Sequence, residues 1–173
     1  MREHGSPLYA LKSKRPLACF DLVANTPPTD EIYTNALNVL DLSGIPVRSL
    51  ERDETHPIVI AGGHSTMNPE PMHAFMDAFV IGEGEEVIHD IIDALQTYPG
   101  REARLKALAG IPGVYVPQFY EAHYLDDGTL SHTESLLEGI ANPVVKRVVE
   151  AGTTSTCPSV ANSRRIDCLR PKS

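Results

Sequence analysis

Pro57-Ile58-Val59-Ile60-Ala61-Gly62-Gly63-His64-Ser65-Thr66 decides the fold: an apolar run of strand length ends in two glycines. The pattern returns at Ala78-Phe79-Val80-Ile81-Gly82-Glu83-Gly84-Glu85-Glu86. A strand apolar on both faces needs cover on both, which parallel sheets obtain from flanking helices. A glycine turn at the carboxyl end of such a strand is where open α/β sheets form ligand crevices. Two of these units in succession predict an open parallel α/β sheet with a crevice along its carboxyl edge.

Outward from this pair, Leu17-Ala18-Cys19-Phe20-Asp21-Leu22-Val23-Ala24 reads as a further strand and Asn25-Thr26-Pro27-Pro28-Thr29 as the turn after it. From Asp30, the spacing of Ile32, Ala36, Leu37, Val39 and Leu40 predicts a helix that stops at Gly44. Ile45-Pro46-Val47-Arg48 reads as a short edge strand. Asn68-Pro69 offers a side-chain cap followed by a proline suited to a first helical position, so a helix is expected there. The stripe Val87, Ile88, Ile91, Ile92 and Leu95 predicts a helix over 85–97, with a shorter one over 101–109. Extended structure resumes over 111–117. Phe119-Tyr120-Glu121-Ala122-His123-Tyr124 and Thr129-Leu130-Ser131-His132 then flank Asp126-Asp127-Gly128, the signature of an appended β-hairpin. Residues 1–16 are basic and irregular. Residues 151–173 carry few large apolar side chains and are expected to be disordered, which places the domain at 1–150.

The net charge of −8 argues against a nucleic-acid partner, because a phosphate backbone demands a basic face. No apolar run approaches the roughly 20 residues of a membrane span, and Met1-Arg2-Glu3-His4-Gly5 is no apolar signal core, so no membrane partner and a cytoplasmic location are expected. Cys19, Cys157 and Cys168 form neither a CxxC pair nor a zinc spacing, and Cys19, within an apolar run, is expected to be a buried thiol.

The candidate site residues cluster at the predicted strand ends. Gly62 and Gly63 let a ligand approach the backbone closely, and His64, Ser65 and Thr66 add polar groups. Glu83, between Gly82 and Gly84, can accept hydrogen bonds from ligand hydroxyls or amides. Glu85 and Glu86 themselves take the anion-favouring place at a helix start, which suits a phosphate poorly. Asn25 and Thr26 face the same crevice if the strands are parallel. The plainer reading is tight strand-to-helix turns, a solvated His64 and carboxylates that satisfy a helix end. Glu70/His73 and Glu86/His89 have Glu-x-x-His spacing but lack the matching carboxylates of a di-metal bundle, and no G-x-S-x-G elbow exists. Neither a metal site nor a catalytic residue is assigned.

Several stretches together resemble one family. They are Pro7-Leu8-Tyr9-Ala10-Leu11, the segment from Tyr33-Thr34-Asn35-Ala36 to Ser43-Gly44-Ile45-Pro46, residues 57–86, Ile111-Pro112-Gly113-Val114-Tyr115-Val116-Pro117 and Val144-Val145-Lys146-Arg147-Val148-Val149. In this order, over residues 6–150, the chain is similar to the N-terminal region of cobalamin-binding-domain radical SAM proteins. The resemblance implies a Rossmann-like cobalamin module, followed in full-length relatives by a radical SAM domain. In that domain a CxxxCxxC motif holds a [4Fe–4S] cluster that cleaves S-adenosylmethionine. It also implies that Gly62, Gly63, His64, Gly82, Glu83, Gly84 and Glu85 lie at the corrin-facing end of the sheet.

The chain departs from this pattern in several ways. CxxxCxxC is absent, and the similarity stops near Glu150. Relatives begin earlier, so a fragment short of one strand and of the radical SAM domain is expected, with poor solubility or oligomers as the result of exposed sheet. Asp-x-His-x-x-Gly, the motif whose histidine ligates cobalt from below, is also absent. The leading expectation is a cobalamin-binding-like module, not catalytic by itself, that works with a radical SAM domain. One alternative is a flavodoxin-like nucleotide- or protein-binding module without cobalamin. A third reading is a metal-dependent hydrolase built on His64, Glu70 and His73.

Overall fold

The computed structural model describes residues 6–27 and 29–148. Residues 151–173, the expected tail, lie outside them. Four strands form one sheet in the order β1-β2-β3-β4, where β1 is Leu22–Asn25, β2 Ile58–Gly62, β3 Ala78–Val80 and β4 Val114–Tyr115. The first three run parallel, with Val23 opposite Val59 and Ile60 opposite Ala78, and β4 joins antiparallel. Helices α1 (Tyr33–Leu42), α2 (Val87–Thr97) and α3 (Arg101–Ala109) cover the sheet. The hairpin β5 (Tyr120–Tyr124) and β6 (Leu130–Ser135) stands apart as a second, two-stranded sheet. This is the α/β fold with an appended hairpin that the strand patterns predict, and it is Rossmann-like, as the resemblance implies.

The side-chain alternation of a strand explains the two cores. Ile58 and Ile60 of β2 pack with Val87, Ile91, Leu105 and Leu108 of α2 and α3. Val59 and Ala61 point the other way, into a cluster with Ala36 and Leu40 of α1 and with Met72 and Met76. β2 is therefore covered on both faces, and each of its large side chains contributes about 1.5–3 kcal/mol by burial. No helix among the described residues is long and apolar enough to cross a membrane.

Five expectations need correction. Only Leu22–Asn25 of the first predicted strand is paired. Leu17–Cys19 instead forms a 3-10 turn after Pro16, which leaves Cys19 exposed rather than buried. Ile45-Pro46-Val47-Arg48 is not a strand. Ile45 N donates to Leu40 O and Gly44 N to Asp41 O, the paired bonds of a Schellman motif, with Gly44 at φ +68° and Ile45 as its buried apolar contact. The Arg52 guanidinium then takes the Pro46 and Val47 carbonyls that a ladder would need. At Asn68-Pro69 there is a single 3-10 turn, Glu70–Met72, without a side-chain cap, because the chain must return to β3 at Ala78. α2 begins at Val87, with Glu85 and Glu86 in the turn before it.

At the amino ends of the strands sits a buried ion cluster. Asp77 Oδ2 accepts from Val59 N at 2.7 Å and lies 3.1 Å from Arg52 Nη1, while Asp77 Oδ1 accepts from Arg101 Nη2 at 2.6 Å. Arg52 also donates to Phe75 O at 2.6 Å. Burial pulls the Arg52 pKa down, and the Asp77 carboxylate opposes that shift. The Glu54 carboxylate receives Arg101 N–H at 2.8 and 2.7 Å, which caps the start of α3.

Candidate functional site

At the opposite, carboxyl ends of β1, β2 and β3 opens a crevice of about 930 Å³. Ile60, Val80, Val87, Ile88 and Ile91 give it an apolar wall, and the turns after the three strands give it a polar rim. Asn25, Thr26, Gly62, Gly63, His64, Gly82, Glu83, Gly84 and Glu85 all line it. These residues come from three turns that only the parallel pairing of β1, β2 and β3 brings together.

Each turn has its own geometry. Asn25 ends β1 half-buried, and its Nδ2 is shielded from solvent without a hydrogen-bond partner. Gly63 takes φ +107°, and a Cβ there would come 3.0 Å from Thr26 Cγ2, so the first two turns touch. Gly84 has nothing within 4 Å of a would-be Cβ, so the third turn is open at that point. His64, Glu83 and Glu85 are exposed at the rim.

Ser65 and Thr66 are buried and do not line the crevice. Ser65 Oγ donates to Pro27 O at 2.6 Å, and Tyr33 Oη donates to Ser65 O at 3.1 Å, which ties the β2 turn to the β1 turn and to α1. Burial, together with Asp30, pushes the Tyr33 pKa up and keeps that donor protonated. Thr66 Oγ1 lies 2.7 Å from Gly63 O and 2.9 Å from Val80 O, within reach of both. Thr66→Val is expected to lower stability by about 1–2 kcal/mol, the cost of buried carbonyls that lose a donor, as read by urea unfolding. An unchanged midpoint would show that the hydroxyl holds neither turn.

The far wall was not legible as part of a site. Lys146, Arg147 and Val148 line the crevice because their segment pairs beside the end of β3, where β4 has diverged. Arg147 N donates to Ile81 O at 2.9 Å, and Glu83 N donates to Arg147 O at 3.0 Å. The Arg147 guanidinium reaches Asp90 Oδ2 at 2.5 Å and Glu86 Oε2 at 3.4 Å, which clasps the first turn of α2. The apolar run around Lys146 suggests extended chain but says nothing about which strand it joins. Met67 also lines the crevice.

Glu70 and His73 stand on an exposed turn, where His73 Nδ1 contacts Glu70 O at 2.7 Å and Tyr115 Oη donates to Glu70 Oε1 at 2.8 Å. They do not converge with His64. Among the described residues, the cluster whose geometry could hold a metal is His123, His132 and Glu134 on the hairpin.

Fold and geometry thus define an open α/β module with a crevice at the carboxyl ends of its parallel strands. The chain belongs to the radical SAM family: residues 1–117 match the family model for the N-terminal region of radical SAM proteins. The match takes in the four-stranded sheet and the three turns at the carboxyl ends of its parallel strands, and it ends before the hairpin and the Arg147 segment. No curated protein and no solved structure matches the chain. Membership implies S-adenosylmethionine and an iron–sulfur cluster in full-length members of the family.

Proposed function

We propose that this chain is a cobalamin-binding module, over residues 1–150, that serves a radical SAM domain carrying the CxxxCxxC cluster motif. The observation that carries the reading is the Asn25 amide, shielded and unpartnered at the edge of a crevice large enough for a sizeable cofactor. A buried donor without an acceptor costs about 1–3 kcal/mol, and a ligand carbonyl would remove that cost. The periphery of a corrin ring is rich in amides, which supply both carbonyl acceptors and N–H donors. Asn25 Nδ2 suits the first, and the Glu83 and Glu85 carboxylates suit the second. Met67, Ile88 and Val148 offer accessible apolar surface for the body of the macrocycle. His64 is exposed at the rim and is not preceded by the aspartate of a lower-ligand motif, so the residues fit a cofactor held by its edge and not ligated from below. Bound cobalamin supplies methyl-carrying chemistry that none of these side chains has. The module itself binds, orients and shields, and no residue in it is assigned a catalytic step.

Equilibrium dialysis of the purified chain against hydroxocobalamin, read by corrin absorbance, tests this. Retention of the cofactor is expected, and Asn25→Leu is expected to weaken it about 10-fold, the equivalent of one buried hydrogen bond. No retention of hydroxocobalamin alongside retention of a flavin or adenine nucleotide would replace the reading with the flavodoxin-like one.

A further inference from the structure

We propose that the β5–β6 hairpin carries a second site, for a divalent transition-metal ion, made of His123, His132 and Glu134. The antiparallel register sets His123 directly opposite His132, and Glu134, two residues on, shares their face. The two imidazoles are stacked with centroids 4.7 Å apart and planes 11° from parallel. Glu134 Oε2 lies 3.5 Å from His123 Nε2, and one ligand atom from each residue falls within 4.8 Å of the others. A tetrahedral ion with bonds of about 2.0–2.1 Å spaces its ligand atoms by roughly 3.4 Å. The His123–Glu134 edge already has that spacing, and because stacked, near-parallel rings do not aim both lone pairs at one point, the exposed His132 ring turns out of the stack to ligate.

Two details favour an ion over an incidental surface cluster. His123 Nε2 is shielded from solvent and makes no hydrogen bond, although it sits on an otherwise solvated hairpin. Ser131 Oγ lies 3.2 Å from His132 Nδ1 and engages that nitrogen, which leaves Nε2 to ligate. A hydrogen bond to the non-ligating nitrogen is how metal-bound histidines are oriented. Two imidazoles and one carboxylate suit Zn²⁺, Co²⁺, Ni²⁺ or Cu²⁺ and not Ca²⁺ or Mg²⁺. Three protein ligands leave a position open for water or for Glu121, which stands opposite Glu134 in the register. The ion would cross-link the two strands of a hairpin that shares no ladder with the main sheet. The site is independent of the crevice and of what the crevice binds.

The test is Zn²⁺ titration of the full chain carrying Cys19→Ser, Cys157→Ser and Cys168→Ser, which removes all three thiols as competing ligands. Equilibrium dialysis with elemental analysis gives the stoichiometry, and Co²⁺ substitution gives the visible spectrum. One Zn²⁺ per chain is expected. His123→Ala, His132→Ala and Glu134→Gln should each weaken binding 10-fold or more and abolish the tetrahedral Co²⁺ bands, while His73→Ala and His89→Ala leave both unchanged. Zn²⁺ should raise the melting temperature of the parent and not that of His132→Ala. That variant melts like the parent without metal, because the side chain is exposed. Absence of Zn²⁺ binding, or binding that survives both His123→Ala and His132→Ala, overturns the site.

Discussion

Asp77→Ala is expected to lower the unfolding free energy by about 3–5 kcal/mol, because it leaves buried positive charge without a partner. The Arg52 and Asp77 side chains are 0% and 2% exposed, and Arg101 is 11% exposed, so removal of the carboxylate strands two guanidinium groups without a counter-charge. Arg52 cannot swing out to water without giving up the Pro46, Val47 and Phe75 carbonyls that it serves. Val59 N–H, near the amino end of β2, also loses its acceptor. Against a total stability of roughly 5–15 kcal/mol, the loss should lower the melting temperature by about 10 °C or more. Arg101→Met added to Asp77→Ala should recover part of it by removing one uncompensated cation. A change below about 1 kcal/mol in chemical denaturation would mean that water enters the cluster and hydrates the guanidiniums.

Gly82→Ala is the second large effect, and it acts on the other end of the sheet. Gly82 holds φ +104°, and a Cβ there would lie 2.7 Å from Arg147 N and closer still to Arg147 O. Backbone cannot move aside as a side-chain tip can, so the Arg147 segment has to leave the sheet. The cost combines left-handed strain with two lost ladder bonds, roughly 2–4 kcal/mol. Proteolysis within residues 137–148 should accelerate, and the crevice should lose its far wall and its affinity for cofactor. Gly84→Ala is the matched control. Only two residues away and with nothing near a new Cβ, it should stay within about 0.5 kcal/mol of the parent. Equal behaviour of the two variants in urea unfolding would rule out the close approach of Arg147.

What the sequence discloses and what it hides divide along range. Strands that end in glycine, a helix that ends at Gly44 and a turn at Asp127-Gly128 are local signals, and β2, β3, α1 and the hairpin follow from them. α3 was legible to the residue, between Gly100 and Gly110. Failures came where a distant group decides. Arg52 reaches back to occupy the carbonyls of a would-be strand, and no pattern within Ile45-Pro46-Val47-Arg48 contains Arg52. The pairing of Arg147 with Ile81 and Glu83 joins residues more than sixty positions apart. The His123, His132 and Glu134 cluster depends on hairpin register, and a slip of one residue would send Glu134 to the opposite face. Of the candidate site, the turns were readable because glycine marks those after β2 and β3 and Asn25-Thr26-Pro27-Pro28 marks the one after β1, whereas the buried roles of Ser65 and Thr66 appear only once Pro27 and Val80 are seen to be their neighbours.

The buried ion cluster and the glycine crevice stand at opposite ends of the same strands, and this separates tolerance to change from its consequences. Around Asp77, a substitution costs foldedness, because buried charge there loses its partner. Around Gly84, His64 and Glu85, side chains face open space and carry little of the core, so they can be exchanged with small loss of stability. A library randomised at the rim and selected for new ligands should therefore return mostly folded proteins, whereas the same diversity at the amino edge should return mostly aggregates.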